Sequence, residues 1–148
     1  MSYIDVISLA RAKNYLRIDE DLIDDDFEIT SMITASLRYI EKRTNHLMFP
    51  REVIYTGVCQ VKVYDYPINS ITSVPAPWFL DYSMFRIFPN DKAVILNVGY
   101  IVDNAPDELI QAALQMIKVW YYESEKQVNS TLIPESVKEA IDIYRRFL

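Results

Sequence analysis

Apolar residues in the first third of the chain recur at intervals of three and four. Leu9, Ala12 and Leu16 share one face of a helix predicted from about Ser8 to Leu16, with the Ser8 hydroxyl placed as its N-cap. Ile29, Ile33, Leu37 and Ile40 form a second stripe, which predicts a longer helix from about Asp25 to Arg43. Asp24 or Asp25 is expected to accept from the free N–H groups of its first turn. Lys42 and Arg43 complement its far end, and Asn45 closes it in the left-handed conformation.

After Pro50 the period changes. REVIYT and VCQVKVYD are rich in β-branched and aromatic residues and are divided by Gly57, which predicts a hairpin. Short strands SITSV, MFRIF and AVILNVGYI follow. PAPWFLDYS reads as a loop between them, because its two prolines remove backbone donors. A third helix begins between Asp103 and Asp107, with Asp103 or Asn104 near its cap and Pro106 near its first turn. Its inner face is Leu109, Ala112, Ala113, Met116, Ile117 and Trp120. A fourth helix after Pro134 carries Val137, Ala140, Ile141, Tyr144 and Leu148 on one stripe. The order is that of an α+β protein: two N-terminal helices, a central and mostly antiparallel sheet of about five short strands, and two C-terminal helices. The 148 residues suit a single domain over 1–148, with 126–148 expected to serve as a partner-binding arm.

Composition narrows the function. Hydrophobic residues are 51% of the chain and charged ones 24%, too apolar for a disordered protein. No apolar run approaches the ~20 residues that cross a bilayer, and the first residues lack the layout of a signal peptide. The net charge of −6 argues against a chain whose task is to grip nucleic-acid backbone. With glycine only at Gly57 and Gly99, no phosphate-cradling loop can form. Cys59 and His46 stand alone among cysteines and histidines, so they cannot build a zinc site; Cys59 reads as a buried core thiol and His46 as a capping or solvated group. No cofactor and no catalytic residue is expected.

One segment still invites chemistry. Asp19, Glu20, Asp21, Asp24, Asp25, Asp26 and Glu28 place seven carboxylates in ten residues. Read as an EF-hand loop from Asp19, the segment has Ile23 where an oxygen ligand belongs, Asp24 in place of the glycine and Thr30 in place of the final glutamate. A structural turn fits better, anchored by Leu22 and Ile23, with its acids in water and leading into the second helix.

Apolar surface is in surplus elsewhere. On the third helix Ile110, Leu114, Val119, Tyr121 and Tyr122 extend the apolar residues nearly all round. Either the rest of the chain covers them or another subunit does. Trp78 and Phe79 in the proline-bearing loop, and Tyr144, Arg145, Arg146, Phe147 and Leu148 at the end, are typical docking side chains. Taken together, they favour a subunit of an assembly over a solitary enzyme.

The order of segments resembles the head–tail connector (adaptor) proteins of tailed phages, also catalogued as putative DNA-packaging proteins. The resemblance opens with VISLARAKNYLRIDEDLIDDDFEITSMITASLRYIEKRTN, a short helix ending in Leu16-Arg17-Ile18-Asp19, an acidic turn, and a long helix ending in Tyr39-Ile40-Glu41 and Thr44. It continues through YPINSITSV, AVILNVGY, the Pro106-Asp107-Glu108-Leu109 helix start, Tyr121-Tyr122-Glu123 and Ile133-Pro134-Glu135-Ser136-Val137. The chain departs from the family at Asn45, where relatives often carry glycine, and in the long aromatic PAPWFLDYS.

The resemblance implies a non-enzymatic virion protein that forms a homo-oligomeric ring of twelve copies below the portal protein. Such a ring extends the channel that DNA traverses, without sequence-specific binding and without a membrane. It also offers a platform for a tail, stopper or second ring protein. Carried over, Ile133 to Leu148 would face the portal, and Ile110, Leu114 and Tyr121 would pack against a neighbouring subunit. Two alternatives belong to other classes: a small metal-dependent enzyme using Asp19–Asp26, and a non-viral interaction module.

Overall fold

The computed structural model describes residues 1–56, 61–73, 79–81, 86–88, 93–101, 104–124 and 133–145. Helices α1 (Tyr3–Val6), α2 (Leu9–Leu16) and α3 (Asp26–Thr44) open the chain. Strands β1 (Arg51–Tyr55), β2 (Val61–Lys62), β3 (Ile68–Ser73), β4 (Phe79–Asp81), β5 (Arg86–Phe88) and β6 (Val94–Val98) follow. Helices α4 (Asp107–Ser124) and α5 (Glu135–Tyr144) close it. The α+β class and the helix layout are as expected, with the one-turn α1 added at the front.

The helices form where local signals agree. The Ser8 hydroxyl accepts from the Arg11 N–H at 3.2 Å and starts α2. The α3 stripe of Ile29, Ile33, Leu37 and Ile40 is fully buried, and each such side chain contributes about 1.5–3 kcal/mol. Asn45 ends α3 at φ 59° and donates its N–H to the Glu41 carbonyl. Asp25 does occupy the N-cap position of α3, but its side chain makes no cap hydrogen bond; its carboxylate is engaged elsewhere, as described below. At α4 the cap position falls to Pro106, whose carbonyl accepts from Leu109 N–H at 3.0 Å, rather than to Asn104.

Strand pairing departs from the local reading. Six described strands form two antiparallel sheets of three, in the orders β1–β6–β3 and β2–β5–β4. β1 is therefore no hairpin partner of β2. It pairs with β6, from Arg51 opposite Val98 to Tyr55 opposite Val94, while β2 pairs with β5. The β3–β6 ladder carries two register shifts, as bulges produce. Phe79–Asp81, assigned to a loop by sequence, is a strand on β5, with Phe79 opposite Phe88. Pro75 and Pro77, the basis of the loop assignment, lie outside the described residues.

The described residues form two cores. The larger one lies among the helices, where α4 is surrounded by α2, α3 and α5. The smaller one is built on the buried face of β6, where Val94, Leu96 and Val98 meet Leu47 and Val63. Residues 45–50 and 99–101 join them. Tyr66 N–H donates to Asn45 O, Leu47 N–H to Tyr66 O, Tyr100 N–H to Leu47 O and Gly99 N–H to Pro67 O. Gly99 has φ +118°, and a Cβ there would sit 2.1 Å from the Phe49 carbonyl oxygen. Only glycine permits this approach.

Candidate interface surfaces

Lys13 organises the acidic turn. It lies on α2 and is 3% exposed. Its ammonium donates to the Glu20 carbonyl at 3.0 Å and the Leu22 carbonyl at 2.7 Å, and forms an ion pair with Asp26. Among the described residues that ion pair is what meets the buried Asp26 Oδ1. Two carbonyls and a carboxylate converging on one cation resemble a metal-binding arrangement, and here the cation is supplied by the chain. Tyr121 adds a second tie, donating its hydroxyl to Asp25 Oδ2 at 2.6 Å. Among the described residues no group of His, Cys, Asp and Glu is placed to hold a metal ion.

The expected anchors of that turn are not its anchors. Leu22 is 46% exposed and Ile23 is 70% exposed, with Phe27 of α3 at 85%. The buried lysine fastens the turn from beneath by its carbonyls, which leaves the neighbouring apolar side chains pointing outward.

A second buried charge closes the N-terminus onto the core. Glu41 of α3 is 7% exposed and receives three donors: the Tyr3 hydroxyl at 2.7 Å, the Met48 N–H at 2.8 Å and Arg51 Nη2 at 3.0 Å. Burial by itself lowers the Arg51 pKa, but the hydrogen bonds to Tyr3 and Glu41 outweigh it and hold the guanidinium above its ordinary value. The cluster ties α1, α3 and β1 together.

His46 is neither solvated nor a cap side chain. It is 6% exposed, its Nδ1 lies 2.6 Å from the Tyr100 hydroxyl, and its ring packs against Tyr66, Tyr100 and Tyr144 at centroid distances of 4.9, 5.8 and 5.6 Å. A cavity of about 270 Å³ lies nearby, lined by Met1, Val6, Met48, Phe49, Tyr100 and Ile110 among others. Its charged members among the described residues are Asp5, Arg11 and Asp107.

The sequence-proposed interface residues divide by burial. Ile110 (4% exposed), Leu114 (2%) and Tyr121 (7%) belong to the chain's own core. Much of the apolar surplus of α4 thus packs against α2, α3 and α5 within the chain. Tyr122 is 39% exposed and ties α4 to the end of α2, donating its hydroxyl to the Leu16 carbonyl at 2.9 Å. Tyr144 is half-buried against His46 and donates to Glu108 at 3.0 Å; burial and then that hydrogen bond hold its phenol above the usual range. Arg145 is exposed at the end of α5. Phe79 lies on β4, and Trp78, Arg146, Phe147 and Leu148 fall outside the described residues. The surface that sequence reasoning missed is the exposed trio Leu22, Ile23 and Phe27. Its one signal was an apolar pair, Leu22-Ile23, and a single Phe27 embedded in carboxylates.

Comparison with solved structures places this architecture. One chain in the neck of an empty gene transfer agent particle, computed with C6 symmetry, superposes with a TM-score of 0.74 at 20% identity, covering 97% of this chain and 92% of that one. The fold is that of a chain in the gene transfer agent neck. A chain in the virion of the native gene transfer agent particle matches equally well, with a TM-score of 0.74 at 18% identity over 100% of this chain and 94% of that one. A third, from the neck of the native particle computed with C12 symmetry, gives 0.69 at 19% identity over 97% and 91%. No family model matches the sequence, and no curated protein matches it. Among the described residues no helix is long and apolar enough to cross a membrane.

Proposed function

We propose that this chain is a structural subunit of a virion neck: a head–tail connector that forms a ring with identical copies. The observation that carries the proposal is the end-to-end match with chains from gene transfer agent necks, which spans more than nine-tenths of both partners. Symmetric necks, computed with C6 and C12 symmetry in those particles, support a homo-oligomeric ring here, with twelve copies as the expected number. The paired charges support a role without catalysis. Lys13, Asp26, Glu41 and Arg51 are each consumed in holding elements together, whereas an active site keeps such groups poised toward a cleft.

In this reading the ring binds the portal protein through the α5 end, Ile133 to Leu148, described as far as Arg145, with Tyr144 and Arg145 as anchors. It extends the DNA channel and presents the opposite side to a tail or stopper. The net charge of −6 suits a wall past which a polyanion slides. Deleting the gene from the genome that carries it should yield DNA-filled heads lacking tails, seen by electron microscopy of the lysate. Removing residues 144–148 should give the same heads while leaving a folded chain. Tailed, infective particles from the deletion would overturn the proposal.

A further inference from the structure

The neck reading requires each copy to touch the next, and the described surface carries two halves of such a contact. The first is the exposed trio Leu22, Ile23 and Phe27. Around it stand Asp19, Glu20, Asp21, Asp24 and Glu28, all exposed and none in an ion pair among the described residues. Asp25 and Asp26 are already engaged by Tyr121 and Lys13. An apolar centre with a charged rim is the layout of an interface, and a solvated turn has no use for a phenylalanine 85% exposed.

The second half is a groove of about 480 Å³ between α2 and α4, lined by Arg11, Asn14, Tyr15, Arg17, Leu114 and Lys118 together with Gln111. Arg11, Arg17 and Lys118 are exposed and, like the turn's free carboxylates, have no ion-pair partner among the described residues. The Lys118 ammonium lies 5.9 Å from the Tyr15 ring centroid. Three unpaired cations around an aromatic floor, on a chain of net charge −6, form a site for an acidic and apolar partner.

The two halves lie on different sides of the same helix. Lys13 points from α2 to the acidic turn, while Arg11 and Tyr15, each two residues away, are rotated by about 200° and face the other way. A surface that binds its own complement on another copy is heterologous, and repetition of one such step closes a ring when the rotation permits. We infer that the Leu22–Phe27 turn of one copy docks into the Arg11–Lys118 groove of the next, with Ile23 and Phe27 against Tyr15 and the free carboxylates against Arg11, Arg17 and Lys118. The inference rests on the ring reading and names the surfaces that would join its subunits.

The test places a photoreactive benzoylphenylalanine at Phe27 in the full chain, in cells producing particles, and maps its crosslinks by mass spectrometry. The expected product joins position 27 to residues 11–18 or 111–118 of a second copy. Its yield should fall roughly tenfold or more when like charges meet, in the pair Asp21→Lys with Asp24→Lys or the pair Arg11→Glu with Lys118→Glu. It should return when all four changes are made in one chain. Far-UV circular dichroism of each purified variant confirms that the changes leave the fold intact. Rings whose position 27 crosslinks elsewhere, or whose yield ignores the charge reversals, overturn this contact and leave the ring reading standing. Particles whose necks contain no neighbouring copies of the chain, by crosslinks from any surface position, overturn both.

Discussion

Lys13→Met tests how the acidic turn is held. The substitution keeps the length and apolar stem of the side chain and removes the ammonium that meets Glu20 O, Leu22 O and Asp26. Stripping one partner from a buried ion pair costs about 3–5 kcal/mol. Asp26 is 31% exposed and can recover some hydration, and the two carbonyls belong to a surface turn. These bring the expected loss to about 2–3 kcal/mol. For a chain of this size the melting temperature should drop by about 4–12 °C. Urea denaturation followed by circular dichroism should show a lower midpoint at unchanged slope. Asp26→Asn alone should cost less, and the double variant should cost less than the sum, with a coupling of about 0.5–3 kcal/mol. Asp21→Asn and Asp24→Asn, whose carboxylates have no described partner, should stay within about 0.5 kcal/mol of wild type. If Lys13→Met also fell within that margin, the turn would be anchored by something other than the lysine.

Two further predictions concern the sheet and its junction. Gly99→Ala places a methyl 2.1 Å from the Phe49 carbonyl oxygen at a φ of +118°, and should destabilise by roughly 3 kcal/mol or more; a melting temperature within about 2 °C of wild type would refute the packing. Burial, then the hydrogen bond to Asp65, raises the Tyr55 phenol above its ordinary value of 10.0. The folded state thus favours the protonated phenol, so this contribution is complete below about pH 10 and is lost as pH rises toward the folded value. Tyr55→Phe should be less stable than wild type at pH 8 and should lose stability less steeply between pH 9 and 11. Parallel melting curves across that range would count against it.

Much of the helical layer was legible because its signals are local. The stripe from Ile29 to Ile40, the Ser8 cap and the Asn45 stop each follow from a few neighbouring residues, and each is found. Pairing across the sheet was not legible. Gly57 suggested that β1 turns back on β2, but β6 can offer β1 a face with Val94, Leu96 and Val98 fully buried, and that gain is invisible in a window around position 57. Lysine 13 was missed for a related reason. A lysine is ordinarily exposed, and its burial depends on carbonyls seven and nine residues downstream folding back over it. Once the ammonium holds the turn, Leu22 and Ile23 are released from the anchoring role that hydrophobicity alone assigned to them. The apolar surplus of α4 had two readings at the sequence level. Within the chain, α2, α3 and α5 cover Ile110, Leu114 and Tyr121, while Tyr122 stays 39% exposed.

The seam between the helical layer and the sheet is held largely by main-chain atoms. Asn45, Leu47, Tyr66, Pro67, Gly99 and Tyr100 join it through N–H and C=O groups that every residue type except proline carries in full. Such a seam tolerates drift. Nearly any side chain can be exchanged along it without removing one of these main-chain bonds, provided that position 99 keeps room for the Phe49 carbonyl and position 45 tolerates its left-handed backbone. A scaffold fastened in this way can hold its geometry over long evolutionary divergence, which suits an architecture recognisable at 18–20% identity. It also leaves the residues around the seam free to be redrawn for new neighbours.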